Sequence, residues 1–196
     1  SAPERGKNAI YMAARAALEI EKLNERIQSD EFLGKGTVTI SEIKSGSPSL
    51  CAVADYAQFH LDRRLTWGET KESAVAEIKE IVINMDATVE VLHYEEVAWT
   101  GLKYGMEKYF PTWKIDEKDH IVQTGVKAYE GLFNKAPKND KWNFSTNGIA
   151  TNGIYKIPTI GFGPGNEVFA HAPDEKVPVD DLVAASAFYA AYAYLI

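Results

Sequence analysis

The chain has 196 residues, 45% of them hydrophobic and 25% charged, a balance ordinary for a folded protein with a buried core. A formal charge of -7 and a pI near 5.2, with lysines and arginines scattered rather than clustered, argue against a nucleic-acid partner. The single cysteine, Cys51, excludes an internal disulfide, and no apolar run has the length and flanks of a signal peptide or a membrane span, so a cytoplasmic setting is the default expectation.

The sequence opens at Ser1 rather than at a methionine and enters a helix almost at once, so a piece of a longer protein is expected. Asn8 is placed to cap the run AIYMAARAALEIEKLNERI. There Ile10, Ala13, Ala14, Ala17, Leu18, Ile20 and Leu23 form an apolar stripe, while Arg15, Glu19, Lys22 and Glu25 face water. After the breaker Gly34-Lys35-Gly36, TVTISEI alternates as a half-buried strand. SGSPS then turns the chain into AVADYAQFHLDRRL, where Tyr56, Gln58, His60 and Asp62 alternate with Ala57, Phe59 and Leu61 as in a second strand. Thr70 caps a helix over KESAVAEIKEIVINM, and TVEVLHY reads as a further strand. Residues 1–98 therefore read helix, strand, strand, helix, strand. With one strand placed before Ser1 this becomes the ferredoxin-like βαββαβ plan, two helices on one face of an antiparallel sheet, so the fold class is α/β with an α+β first unit.

From Trp99 the composition turns aromatic and turn-rich, and a second unit is expected over residues 99–196. DEKDHIVQTGVKAYEGLFN has helical spacing through Ile121, Val122, Val126, Tyr129, Leu132 and Phe133. KWNFST reads as a short strand, NGIATNGIY as a turn containing a helical turn, and IPTIGF as a buried strand. VDDLVAASAFYAAYAYLI is apolar almost all round and is expected as a buried helix. The loop between IPTIGF and that helix lies at a strand's C-terminal end, where open α/β sheets place ligands.

That loop, GFGPGNEVFAHAPDEKVP, fits neither common nucleotide motif. Asn166 stands where a dinucleotide fingerprint needs its third glycine, Pro164 removes an N–H that a phosphate cradle would use, and the Gly-Lys-Ser/Thr of a Walker loop is absent. Two readings of His171 stand open: a surface histidine beside a glycine-rich turn, or one imidazole ligand of a metal site with Asp174 and Glu175 nearby. One histidine cannot hold a zinc ion, so further ligands would have to come from elsewhere.

The order of STNG, IPTIGFGPG, AHAPDE and a long C-terminal helix resembles the C-terminal part of the aminoacylase, acetylornithine deacetylase and succinyl-diaminopimelate desuccinylase family of dinuclear zinc hydrolases. SAPERGKNAI resembles the segment after that family's lid histidine, and LDRRL its D-x-R strand. Within the family, GKGTVTISEIKSGSPSLCAVADYAQFHLDRRLTWGET and EKYFPTWKIDEKDH look most like a branch of hydrolases assigned to selenium metabolism. The resemblance runs over essentially the whole chain. It implies an amidohydrolase or peptidase of deacylase or dipeptidase type acting on a small carboxylate-bearing substrate, with two zinc ions, or cobalt or manganese, per active site. It also implies a homodimer formed through the lid, the lid being residues 1–98 and residues 99–196 the C-terminal part of the catalytic domain.

Carried over position by position, the resemblance makes His171 a metal ligand and Arg64 the arginine that grips a substrate carboxylate. It makes Gly163, Pro164 and Gly165 a loop that approaches the substrate, with Asn147 and Cys51 near it. Two departures weaken the last pair: Cys51 stands where many relatives carry asparagine, and Asn147 where many carry aspartate. The family's other metal ligands and its base glutamate belong to an N-terminal half outside these residues, so no catalytic residue is expected here and the chain alone is expected to be inactive. His60, His93 and His120 read as structural histidines, two on strands and one starting a helix. Two alternatives are a non-catalytic dimerisation or binding module derived from the same family, and a domain that binds a small anion through Arg64.

Overall fold

The computed structural model describes residues 3–196, so the first two residues of the SAPERGKNAI segment lie outside the described residues. The chain divides into two compact units, Ser1–Thr112 and Trp113–Ile196. The architecture is mixed α/β with small sheets.

In the first unit, α1 spans Ala9–Arg26 and starts where expected, because the Asn8 side chain accepts from the N–H groups of Ile10 and Tyr11 at 3.0 and 3.3 Å. A two-residue ladder, β1 (Ser29–Asp30) with β2 (Gly34–Lys35), leads into the long hairpin of β3 (Thr37–Gly46) and β4 (Tyr56–Arg64). The helix α2, Lys71–Ile81, begins with a capping box: Thr70 Oγ1 accepts from the Ser73 N–H, and Ser73 Oγ accepts from the Thr70 N–H. The apolar stripe of α1 supplies Ile20, Leu23 and, just past its end, Ile27 to a core completed by Val38 of β3 and Ile78 of α2, with Ile40, Phe59 and Leu61 packed against it. Both helices therefore cover one face of the hairpin, as the alternation in β4 requires.

The strand expected over TVEVLHY differs from what forms. Val89 and Val91 still turn inward, and Val89 packs on the core, but residues 88–92 join no ladder. Only β5, His93–Tyr94, pairs, and its partner is β6, Met106–Glu107. In the βαββαβ plan the last strand lies beside the first, and among the described residues no strand precedes α1. A strand without a neighbour keeps its apolar side but has no ladder to join, and of this segment only the Leu92 carbonyl, next to β5, accepts a backbone bond among the described residues, from the Lys108 N–H at 2.7 Å. The β5–β6 hairpin is instead tied to α2: Lys71 Nζ donates to Glu107 Oε2 at 2.8 Å, and this bond holds the ammonium above the usual lysine pKa.

The second unit pairs α3 (His120–Phe133) with α4 (Val179–Leu195). Phe162 stacks on Phe188 at 3.9 Å, and Tyr192 on Phe188 at 5.9 Å. Gly125 of α3 sits so close to Ile160 Cδ1 that a Cβ there would lie 2.8 Å from it. The expected strands KWNFST and IPTIGF do not form: the first bends at Asn143 and Phe144, and neither joins a ladder among the described residues. The helix α4 buries Ala185 and Phe188 and leaves Val179, Val183 and Tyr194 exposed, so it is not buried all round as its composition suggested. No helix among the described residues is long and apolar enough to cross a membrane.

Candidate functional site

Strand alternation separates two adjacent arginines. Arg63 turns toward the helices, where its guanidinium meets Glu69 and, at 3.1 Å, Glu77 of α2. Arg64 turns to the open face, and only its Nε is engaged, 3.2 Å from Asp62 Oδ1. The Nη1/Nη2 edge of Arg64 is thus free among the described residues, and the side chain is 61% exposed. A planar fork held at one nitrogen and open at the other two is suited to a carboxylate.

The glycine loop is built differently at each glycine. Gly161 sits against Trp142, whose Cζ3 would lie 2.2 Å from an added Cβ, so packing alone excludes a side chain there. Gly165 has φ +89° and donates its N–H to Asp181 Oδ2 at 3.2 Å, docking the loop on the first turn of α4. At Gly163 an added Cβ would meet open space, so neither packing nor a left-handed backbone demands glycine there. Pro164 is exposed between them. A pocket of about 260 Å³ opens beside this turn, lined by Gly165, Asn166, Phe169, Val177 and Asp181 among others.

His171 is exposed and has φ +62°, a left-handed backbone in a residue that is not glycine. Its backbone N–H donates to Glu175 Oε2 at 3.1 Å, so the acidic residue fixes the loop at His171 rather than its imidazole. The ring nitrogens make no hydrogen bond among the described residues, which leaves both available and fixes no tautomer. Among the described residues no three His, Cys, Asp or Glu side chains come together in a group able to hold a metal ion. The residues of this chain therefore do not fit a complete metal site by themselves.

Asn147 precedes a π-helical turn, Ile149–Ile154, and its carbonyl accepts from the N–H groups of Ala150 and Thr151 at 3.0 and 3.1 Å, leaving its exposed side chain unbonded. The helical turn expected within NGIATNGIY forms here, and the segment carries TNGI twice, at 146–149 and again at 151–154. The turn closes with an i to i+5 bond, Tyr155 N–H to Ala150 O at 2.9 Å, and Gly148 and Gly153 are both buried. Cys51 lies exposed in the loop between β3 and β4. His93 pairs with Glu107 in the short ladder, and His120 opens α3. His60 is held by Ser41, whose Oγ lies 2.5 Å from Nδ1.

Comparison with known proteins bears on both units. Residues 1–89 match the family model of the peptidase dimerisation domain. The chain is 53% identical over 193 residues to the uncharacterized protein YgeY of Escherichia coli strain K12, and equally to that of strain O157:H7. The match takes in 97% of this chain and 48% of YgeY, so the chain spans about half the length of the curated relatives it matches. Among solved structures it resembles aminopeptidase PepT from Bacillus cereus ATCC 10987, with a TM-score of 0.64 and 23% identity over 99% of this chain and 47% of that one. It also resembles the M20 family metallo-carboxypeptidase Sso-CP2 from Sulfolobus solfataricus, with a TM-score of 0.55 and 14% identity over 90% of this chain and 42% of that one. At such identities these likenesses show the fold.

Proposed function

We propose that this chain is the dimerisation lid and the C-terminal part of the catalytic domain of a metal-dependent amidohydrolase, of deacylase or dipeptidase type, that cleaves an amide bond in a small carboxylate-bearing substrate. The observation that carries the reading is the match of residues 1–89 to the peptidase dimerisation domain model, in a chain that accounts for 48% of its relatives' length. In this reading a homodimer forms through that domain, and zinc, cobalt or manganese is held mainly by residues outside these 196, with His171 as one ligand. The left-handed backbone at His171 supports the assignment. Such a conformation costs about 1–3 kcal/mol and is retained where the surroundings hold a residue for a purpose. Gly163 supports it too, since a glycine required by neither packing nor backbone leaves room for a substrate to approach.

Arg64 is the substrate residue of this chain. Its free Nη edge would take the substrate carboxylate while Asp62 keeps the guanidinium in place. Asn147, at the mouth of the π turn, is a secondary contact in the same reading, as is Cys51. The test is kinetic, in the polypeptide of the relatives' length: Arg64→Ala should lower kcat/KM for carboxylate-bearing amides by the equivalent of about 2–4 kcal/mol, with Arg64→Lys only a partial rescue. Unchanged kinetics in Arg64→Ala would reduce the residue to a surface ion pair with Asp62.

A further inference from the structure

The open face of the β3–β4 hairpin carries a second donor besides Arg64. Phe59 and Leu61 pack toward the core and Arg63 reaches Glu77, so Gln58, His60, Asp62 and Arg64 lie on the opposite face. Pairing sets Thr37 opposite Arg64, Thr39 opposite Asp62 and Glu42 opposite His60. Between Ile40 and Glu42 the register slips by one residue. That extra residue is Ser41, and the bulge brings its hydroxyl to 2.5 Å from Nδ1 of His60. Re-aiming a side chain is what a bulge in a ladder can do, and here it fixes one nitrogen of an imidazole.

In the tautomer in which the Ser41 hydroxyl donates to Nδ1, the ring carries its proton on Nε2, which has no partner among the described residues. Four residues along the strand, Asp62 occupies Nε of Arg64 and leaves the Nη edge free. At the rise of a strand, the Cα atoms of His60 and Arg64 are about 13 Å apart. That tautomer sets two donors at the ends of a strip, with the Asp62 carboxylate between them and Glu42, itself paired with Lys44 at 3.0 Å, across from His60.

We infer that His60 is a second substrate-reading residue. Arg64 takes a carboxylate at one end of an elongated substrate, and His60 Nε2–H takes an oxygen acceptor, carboxylate or carbonyl, at the other. Asp62 disfavours a shorter substrate whose second acceptor falls beside it. The inference rests on the reading of Arg64 as a carboxylate clamp and names the substrate shape that clamp serves.

The experiment is a titration of the 196-residue chain, isotopically labelled, with acetate and with straight-chain α,ω-dicarboxylates from succinate to azelate, following the Arg64 guanidinium and His60 imidazole nitrogens by NMR. Acetate should shift Arg64 alone. A longer dicarboxylate should shift both groups and bind about threefold to tenfold more tightly than acetate, the gain from one added hydrogen bond. His60→Ala should abolish the length preference and leave the Arg64 response, and Ser41→Ala should weaken the preference while His60 still responds. Circular dichroism checks that each variant is folded, and the imidazole shift in the unaltered chain needs no variant. Equal affinity for acetate and every dicarboxylate, or a length preference that survives His60→Ala, overturns the role of His60. An Arg64 that responds to no carboxylate overturns the clamp itself, and with it this inference, whereas loss of His60 alone leaves the clamp standing.

Discussion

Arg63 donates from Nη2 to Glu77 Oε2 at 3.1 Å and so ties β4 to α2 across the helix-covered face of the hairpin. The same guanidinium meets Glu69, whose side chain is only 5% exposed and also accepts from the Thr66 N–H at 2.7 Å. Removing one member of a buried, hydrogen-bonded charge pair strands the other. Arg63→Ala should therefore cost about 3–5 kcal/mol of unfolding free energy in urea, and Arg64→Ala, one position along on the exposed face, no more than about 0.5 kcal/mol. Equal losses from the two arginines would contradict their assignment to opposite faces.

The division between these two arginines was legible in the sequence, because a strand alternates and Phe59 and Leu61 mark which side is apolar. The helices were legible for the same local reason. Asn8, Thr70 and the 3.6-residue stripes act within a few residues of themselves. Residues 88–92, KWNFST and IPTIGF carry strand-like composition, yet a strand is completed only by a neighbour, and pairing is set by residues distant in sequence. The backbone at His171 was not legible, since a left-handed residue other than glycine leaves no pattern in composition. A helical turn within NGIATNGIY was legible, but its π form was not, since the i to i+5 bond leaves no pattern in composition.

Glycines in the second unit should separate by what lies beside them. At Gly148 an added Cβ would lie 2.2 Å from Trp113 Cζ2, and at Gly161 it would lie 2.2 Å from Trp142 Cζ3. Gly148→Ala and Gly161→Ala are each expected to destabilise the chain by about 1–3 kcal/mol as the indole rings are pushed out of place. Gly163→Ala should leave stability unchanged and, in the longer polypeptide, raise KM. A stable Gly161→Ala, or a Gly163→Ala with unaltered stability and unaltered kinetics, would count against this account of the loop.

Tyr192 couples α4 to pH. Its hydroxyl donates to Ile121 O at 3.3 Å, and burial pushes its pKa up from the ordinary value of 10.0, with the nearby Asp119 carboxylate adding to the shift. Above pH 10 the unfolded chain loses this proton while the folded chain keeps it, so stability should fall as pH rises from 10 toward the raised value. Tyr192→Phe should remove that part of the alkaline decline, read as the urea midpoint between pH 9 and pH 11. An identical decline in the variant and the unaltered chain would place the phenol in a solvated setting.

The central claim is that His171 belongs to a metal centre shared with residues beyond this chain, and it is tested by counting metal. Elemental analysis of the longer polypeptide, with and without His171→Ala, should show the variant losing about one metal equivalent per subunit together with nearly all amide hydrolysis, because an activated water depends on the metal being held. Full metal occupancy with normal turnover in His171→Ala would contradict the account and leave His171 a loop histidine.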